Sequence, residues 1–243
     1  MNNNIISLAK ITAIAFLAII VTSCGFEAKS ITGSGKVTTS NRNIAEEFTS
    51  IDVANGIDVE VSQGAKSVIV EADDNLQPHI HTTVANGVLK ISSDYGNYNN
   101  VTSKKVKVTM PEIRELNTSS GSRISSNAVL NGDDIKVKAS SGSEIEVNLQ
   151  ADQVSCETSS GSNITVRGKA LELETSSASG SKIDARGLLV NDVKAESSSG
   201  SSTDVHPIVS LNAKASSGGS IKYDGDPKKI EKDASSGGSV TGR

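Results

Sequence analysis

What most limits how this chain can fold is a Ser-Ser-Gly-Ser-like element that recurs seven times, with its glycine at Gly121, Gly142, Gly161, Gly180, Gly200, Gly218 and Gly237. Successive spacings are 21, 19, 19, 20, 18 and 19 residues, a period typical of stacked repeat architectures. Counted from each glycine, apolar residues fall into columns. Seven before it stand Ile135, Val154, Leu173, Val193, Leu211 and Ile230, and five before it Leu116, Val137, Cys156, Thr175, Ala195 and Ala213. Three after it stand Ile124, Ile145, Ile164, Ile183, Ile221 and Val240, and five after it Val147, Val166, Ala185, Val205 and Tyr223. Paired columns lie two residues apart, the strand period, so each copy is expected to carry short strands on both sides of a Ser/Gly corner.

One copy cannot bury its apolar face alone, whereas stacked copies share a continuous core and pair backbone with the coils above and below. The expected fold is all-β: a right-handed parallel β-helix (β-solenoid) with about 19–20 residues per coil, its hand following that of parallel crossovers. With coils about 4.8 Å apart, seven make a rod section of roughly 30 Å. Glycine suits a corner that needs unusual backbone angles, and serine hydroxyls can bond local backbone groups there. A flexible Ser/Gly linker would not keep Ile, Val and Leu in register from Asn117 to Arg243.

Residues 1–23 read as a lipoprotein signal peptide: Lys10 precedes an apolar run from Ile11 to Val21, too short to span a bilayer comfortably. The run ends in Val21-Thr22-Ser23-Cys24, which resembles the lipobox of bacterial lipoproteins and makes Cys24 the lipidation (palmitate-type acylation) residue. Gly25 follows the cysteine instead of an inner-membrane retention aspartate, favouring an outer-membrane lipoprotein on either its periplasmic or its surface face. Residues 24–43 are then the lipidated N-terminus and a flexible tether containing Gly33-Ser34-Gly35. Residues 44–243 form the domain. Within it, 44–110 carries longer, irregular strands such as Ile57 to Val61 and Val88 to Ile91, broken by turn signals at Asn55-Gly56, Gln63-Gly64 and Asn86-Gly87. These are expected to form wider first coils that cap one end, with 111–243 as the repeat coils. The far end is expected to present an open β edge, blunted by Lys228, Lys229 and Lys232 or covered by a second subunit, so a homo-oligomer is one expected partner state.

The whole chain has 24 basic and 28 acidic residues, net −4. Removing residues 1–23 deletes only Lys10, leaving 23 and 28, net −5, which argues against a nucleic-acid partner. With Cys24 acylated, Cys156 is the remaining thiol and reads as a small core residue, because it stands in an apolar column.

Catalysis on this scaffold needs acids converging in a cleft. Here Glu144 and Glu146 flank Ile145, and Glu172 and Glu174 flank Leu173, so all four point outward. Four before each corner glycine the outward column reads Asn117, Lys138, Glu157, Ser176, Glu196, Lys214 and Asp233, a solvated ladder of weak ion pairs. His79 and His81 share a strand face but lack further ligands, so they read as a surface pair and no metal is expected. Asp73-Asp74-Asn75 reads as a turn in preference to a calcium loop. No cofactor motif is present. Tyr95 and Tyr98, in a polar loop, are the weak candidates for ligand binding.

The run from Phe48 through Ile51, Asn55-Gly56-Ile57-Asp58 and Val61 to Gly64, with Val70 to Leu76 and Gly87 to Ile91 after it, resembles the head GIN domain family of autotransporter-adhesin type. The name-giving Gly-Ile-Asn stands here as Gly56-Ile57-Asp58, a one-residue departure that leaves the strand pattern intact. The resemblance covers about residues 44 to 240 and implies a β-helical domain on Bacteroidetes-type envelope proteins, often lipoproteins, with no catalytic residue to carry over. The expected function is therefore that of a non-enzymatic, lipid-anchored cell-envelope protein, an adhesin or surface scaffold. Its expected partners are the membrane, through the lipid, and a glycan or protein surface ligand. The alternative is a polysaccharide-binding or polysaccharide-degrading protein on the same scaffold.

Overall fold

The computed structural model describes residues 29–243; the expected signal peptide and Cys24 lie outside the described residues. Ten strands come first: β1 (Ser30–Thr32), β2 (Val37–Asn41), β3 (Ser50–Val53), β4 (Asp58–Gln63), β5 (Ser67–Asp73), β6 (Ile80–Ala85), β7 (Val88–Ser93), β8 (Asn97–Asn99), β9 (Lys104–Met110) and β10 (Glu115–Thr118). The repeat region adds β11 (Arg123–Ala139), β12 (Glu144–Thr158), β13 (Asn163–Ser177), β14 (Lys182–Ser197), β15 (Ser202–Ala215), β16 (Ser220–Tyr223), β17 (Lys229–Ala234) and β18 (Ser239–Gly242). The long strands stack in parallel, coil upon coil, in one 16-stranded sheet that forms a β-solenoid of about seven turns.

The corners explain the repeated motif. In every copy the serine before the glycine has φ of 49–54° and the glycine φ of 67–77°, the two left-handed residues of a type I′ turn. The Ser122 N–H closes the first turn on the Ser119 carbonyl at 3.2 Å. The corner glycine then donates its N–H to the serine carbonyl of the next coil, from Gly121 to Ser141 at 3.1 Å through to Gly218 to Ser236 at 3.2 Å. The last serine of the motif turns inward: Ser143 Oγ accepts the Ser140 N–H at 3.1 Å and donates to the Thr118 carbonyl at 2.9 Å. Turn, rung and stitch between coils thus come from four residues.

Between corners the backbone stays extended. The expected pair of short strands per copy is corrected to a single strand of 14–17 residues in β11 to β15. Its inward alternation is interrupted at a mid-coil bend, where consecutive residues such as Asp133 and Asp134 or Asp152 and Gln153 both face out, and resumes on the far side. The sequence columns are the core stacks. One runs in register through Leu89, Ile51, Leu116, Val137, Cys156, Thr175, Ala195, Ala213 and finally Lys232. Another runs Val106, Val59, Ile124, Ile145, Ile164, Ile183, Thr203, Ile221 and Val240. Branched side chains repeated at the coil spacing fill the interior.

The solenoid begins earlier than the motif. Asn55 and Gly56 have φ of 64° and 72°, and the Gly56 N–H donates to the Ser120 carbonyl at 3.0 Å. Asn55-Gly56 is therefore an additional corner in the same ladder, and Ile57 behind it is fully buried. After β4 the chain leaves the coil and returns only at β10. On the way it lays β7 along β3 and β9 along β4 in parallel and adds β6 and β5 antiparallel, and β2, from before the coil, pairs antiparallel with β5. The expected wider coils are thus corrected to one coil interrupted by a partly antiparallel excursion, which seals that end.

The expected tether also needs correcting from residue 30 onward. Strand β1 pairs with β8 and β2 with β5. The buried Asp73 carboxylate takes the N–H groups of Gly35 at 2.9 Å, Thr102 at 3.1 Å and Ser103 at 3.0 Å. Burial pushes its pKa up, but the three N–H donors outweigh this and hold it below the usual value. Asp74 bonds Ser34 Oγ at 2.7 Å, and Asn75 accepts the Ser34 N–H at 3.0 Å while donating to the Thr32 carbonyl at 2.8 Å. The acidic turn fastens the N-terminal segment to the head.

Candidate functional site

The uneven motif spacing has a location. Register breaks between Ser125 and Val129, Thr165 and Arg167, Ala185 and Leu189, and Val190 and Asp192, all at the mid-coil bend. The Ser/Gly corners keep one conformation throughout. In repeat proteins, length variation confined to one side often marks the face that meets a ligand.

That side carries a groove. Gly132, Ala151, Ala170 and Val190 lie in register along successive coils, and the small residues among them hollow the wall. Gly168 lets β13 sit close on β12 beside this floor: at its φ of +117° a Cβ would lie 2.0 Å from the Leu149 carbonyl oxygen. The groove is open to solvent, with a volume of about 780 Å³. Its rims are Asn131, Gln150, Lys169 and Leu189 on one side and Asp133, Asp152, Leu171, Asn191 and Ile208 on the other.

Charge and apolarity separate along it. Coils β11 and β12 contribute Asp133 and Asp152, whereas β13 to β15 contribute Leu171, Leu189 and Ile208. Leu171 is 52% exposed, Val129 50%, Ile208 47%, and Leu189 and Val209 40% each. Five of the seven large exposed aliphatics among the described residues therefore belong to this bend. Asp133, Asp134, Asp152 and Glu172 have no ion-pair partner among the described residues.

Asp134 and Glu172 belong to the adjoining flat strand face, where other acids are paired. Glu144 meets Arg123 at 2.5 Å, Glu146 meets Arg167 at 2.7 Å and Glu174 meets Lys194 at 2.6 Å. Lys138 lies between Glu115 at 3.6 Å and Glu157 at 3.8 Å. These acids are spread along neutralising ladders and do not converge on a point where a reacting atom could sit.

The tyrosines and histidines singled out in the sequence sit elsewhere, in the N-terminal region before β10. The Tyr98 hydroxyl donates within reach of the Asn55 carbonyl at 2.7 Å and the Tyr95 carbonyl at 3.0 Å. Lys104 Nζ stands 5.4 Å from its ring centroid and donates to the Gly56 carbonyl. Tyr98 thus braces the Asn55-Gly56 corner. Tyr95 packs edge-on against His79, ring centroids 4.9 Å apart. His79 Nδ1 and His81 Nε2 both bond Asp94, at 3.0 and 2.8 Å, and these bonds hold the Asp94 carboxyl below its usual range. Cys156 is fully buried, and burial pushes its thiol up to about 12, which makes it inert at neutral pH. The groove was not singled out, although a signal existed: a column of small residues, Gly132, Ala151 and Ala170, ten before successive corner glycines.

Comparison with known proteins places this geometry in a family. The family model described as "Putative auto-transporter adhesin, head GIN domain" matches residues 47–227. No curated protein matches the sequence. Among solved structures, a "putative adhesin" from Bacteroides fragilis superposes with a TM-score of 0.80 at 19% identity, covering 88% of this chain and 100% of its own. A "putative adhesin" from Parabacteroides merdae gives 0.68 at 22% identity, covering 89% and 100%. A "putative lipid binding protein" from Parabacteroides distasonis gives 0.67 at 22% identity, covering 88% and 100%.

Proposed function

The chain belongs to the head GIN domain family, and on that premise we propose that it is a non-enzymatic adhesion module of the cell envelope whose contact surface is the mid-coil groove. The observation that carries this reading is the set of exposed aliphatic side chains at the mid-coil bend of three successive coils, Leu171 and Ile208 on one rim and Leu189 on the other. Such a set is costly in water and is retained where another surface covers it. The groove rims hold no aromatic ring on which a sugar could stack, so the polysaccharide alternative draws less support. Acylation at Cys24 would supply the membrane contact, with the head of the solenoid nearest the lipid and the groove further out.

Two measurements test this. Protease shaving of intact cells is expected to cut the chain while a periplasmic control survives; protection until the outer membrane is opened would remove the adhesion reading. Labelling with a fatty-acid analogue is expected to tag the wild type and not Cys24→Ala. Label persisting in that variant would end the proposed anchor.

A further inference from the structure

The groove is chemically polar along the solenoid axis, and that polarity restricts what fits it. We propose that it docks an extended polypeptide segment, laid across the coils, with a lysine or arginine over Asp133 and Asp152 and aliphatic side chains over Leu171, Leu189 and Ile208. The inference deepens the adhesion reading and rests on it.

Three observations select this occupant. First, Asp133 and Asp152 at the β11–β12 end have no ion-pair partner among the described residues, whereas Glu144, Glu146 and Glu174 on the strand faces are paired with Arg123, Arg167 and Lys194; a cationic group completes the pattern. Against them the rims hold a single cation, Lys169, so an anionic polymer would be repelled at that end. Second, aliphatic side chains take up the other end, where alternate side chains of an extended peptide can seat between them. Third, Asn131, Gln150 and Asn191 line the rims between the charged and apolar parts, and their amides can both donate to and accept from a peptide backbone. From β11 to β15 the groove spans four coil intervals, about 19 Å, which is the length of roughly six extended residues. The aliphatic positions of the ligand therefore fall about two and four residues from the cation.

The test is to pan a phage-displayed random heptapeptide library against the immobilised full chain, with Leu171→Asp and Asp152→Lys as parallel targets. Both positions are solvent-facing, and unchanged circular dichroism and melting check that the variants fold. Enriched peptides are expected to carry Lys or Arg followed by aliphatic residues at alternate positions. Resynthesised, they are expected to bind at least tenfold more weakly to either variant and to weaken as salt rises. Lys214→Ala, on a flat strand face, is expected to bind as wild type does. No enrichment, enrichment of acidic peptides, or binding indifferent to both groove substitutions overturns the inference, as does a neutral oligosaccharide that occupies the groove when no peptide does. If panning fails while attachment of cells still depends on the chain, the peptide ligand is wrong and the adhesion reading stands. If groove peptides bind but attachment does not depend on the chain, the adhesion reading is the one that falls.

Discussion

The two ends of the solenoid solve the same problem by different means. At the N-terminal end the core stack is sealed by chain: the excursion between β4 and β10 lays β7 and β9 over the first coil and closes them with antiparallel β6 and β5, to which the earlier β2 adds. At the C-terminal end one core column is closed by single side chains, while its neighbours end in the apolar Ile230 and Val240. The column that runs Val137, Cys156, Thr175, Ala195 and Ala213 ends in Lys232, whose Nζ meets the Tyr223 hydroxyl at 2.7 Å and stands 4.6 Å from its ring centroid. Arg243 completes the lid by pairing with Asp204 at 2.6 Å and Asp224 at 3.5 Å. A charge placed in a core column stops further stacking at little cost in residues. The comparison teaches that a β-solenoid end needs either many residues or one badly matched one.

The N-terminal seal depends on Asp73, and Asp73→Asn is expected to have the largest effect. Asparagine keeps one acceptor oxygen and turns an NH₂ toward backbone donors, so about 2–3 kcal/mol of stability should be lost. Urea denaturation measures the loss, and hydrogen exchange should show residues 30–36 released. The same group gives a pH dependence. Its folded pKa lies below the unfolded value of about 3.9, so its stabilisation is present above that value and fades as pH falls through the folded pKa. Acid destabilisation should be shallower in the Asn variant; identical acid profiles would sever the N-terminal segment from Asp73.

At the other end, Lys232→Leu restores the apolar column and removes the mismatch. Sedimentation velocity should show wild type as one species and the variant associating at tens of micromolar, by an order-of-magnitude reading of the apolar area exposed. A wild type that already associates through this end would show that Lys232 is no lid.

The smallest expected effect lies between the ends. Thr175 sits in the core column with its hydroxyl buried and unpartnered, so Thr175→Val should raise stability by about 1 kcal/mol, or roughly 2–4 °C in Tm. No gain would mean that a bound water already satisfies the hydroxyl.

How much of this was legible depends on the range over which each feature is specified. The core stacks could be read because Ile124, Ile145, Ile164 and Ile183 recur at a fixed offset from a visible glycine. The Asn55-Gly56 turn was visible as a turn, but its membership in the corner ladder was not, since asparagine replaces serine and 65 residues separate Gly56 from Gly121. The order of the N-terminal segment is not legible in the sequence because Gly33-Ser34-Gly35 has linker composition, while what fixes it, Asp73, lies 38 residues from Gly35. The groove is not legible from large apolar residues, because its floor is defined by what is missing, side-chain volume at Gly132, Ala151 and Ala170. Tyr95 and Tyr98 drew attention as rare aromatics in a polar loop, although the Tyr98 phenol braces a corner.

The corner rung that joins each glycine to the next coil's serine makes the molecule a ruler. Because every rung has the same geometry, excising Ser143 to Gly161 would rejoin Gly142 to Ser162 in an equivalent corner and shorten the rod by about 4.8 Å. Both ends would remain as they are. The reach of such a protein can therefore change only in whole steps, and its groove must lengthen or shorten in the same steps.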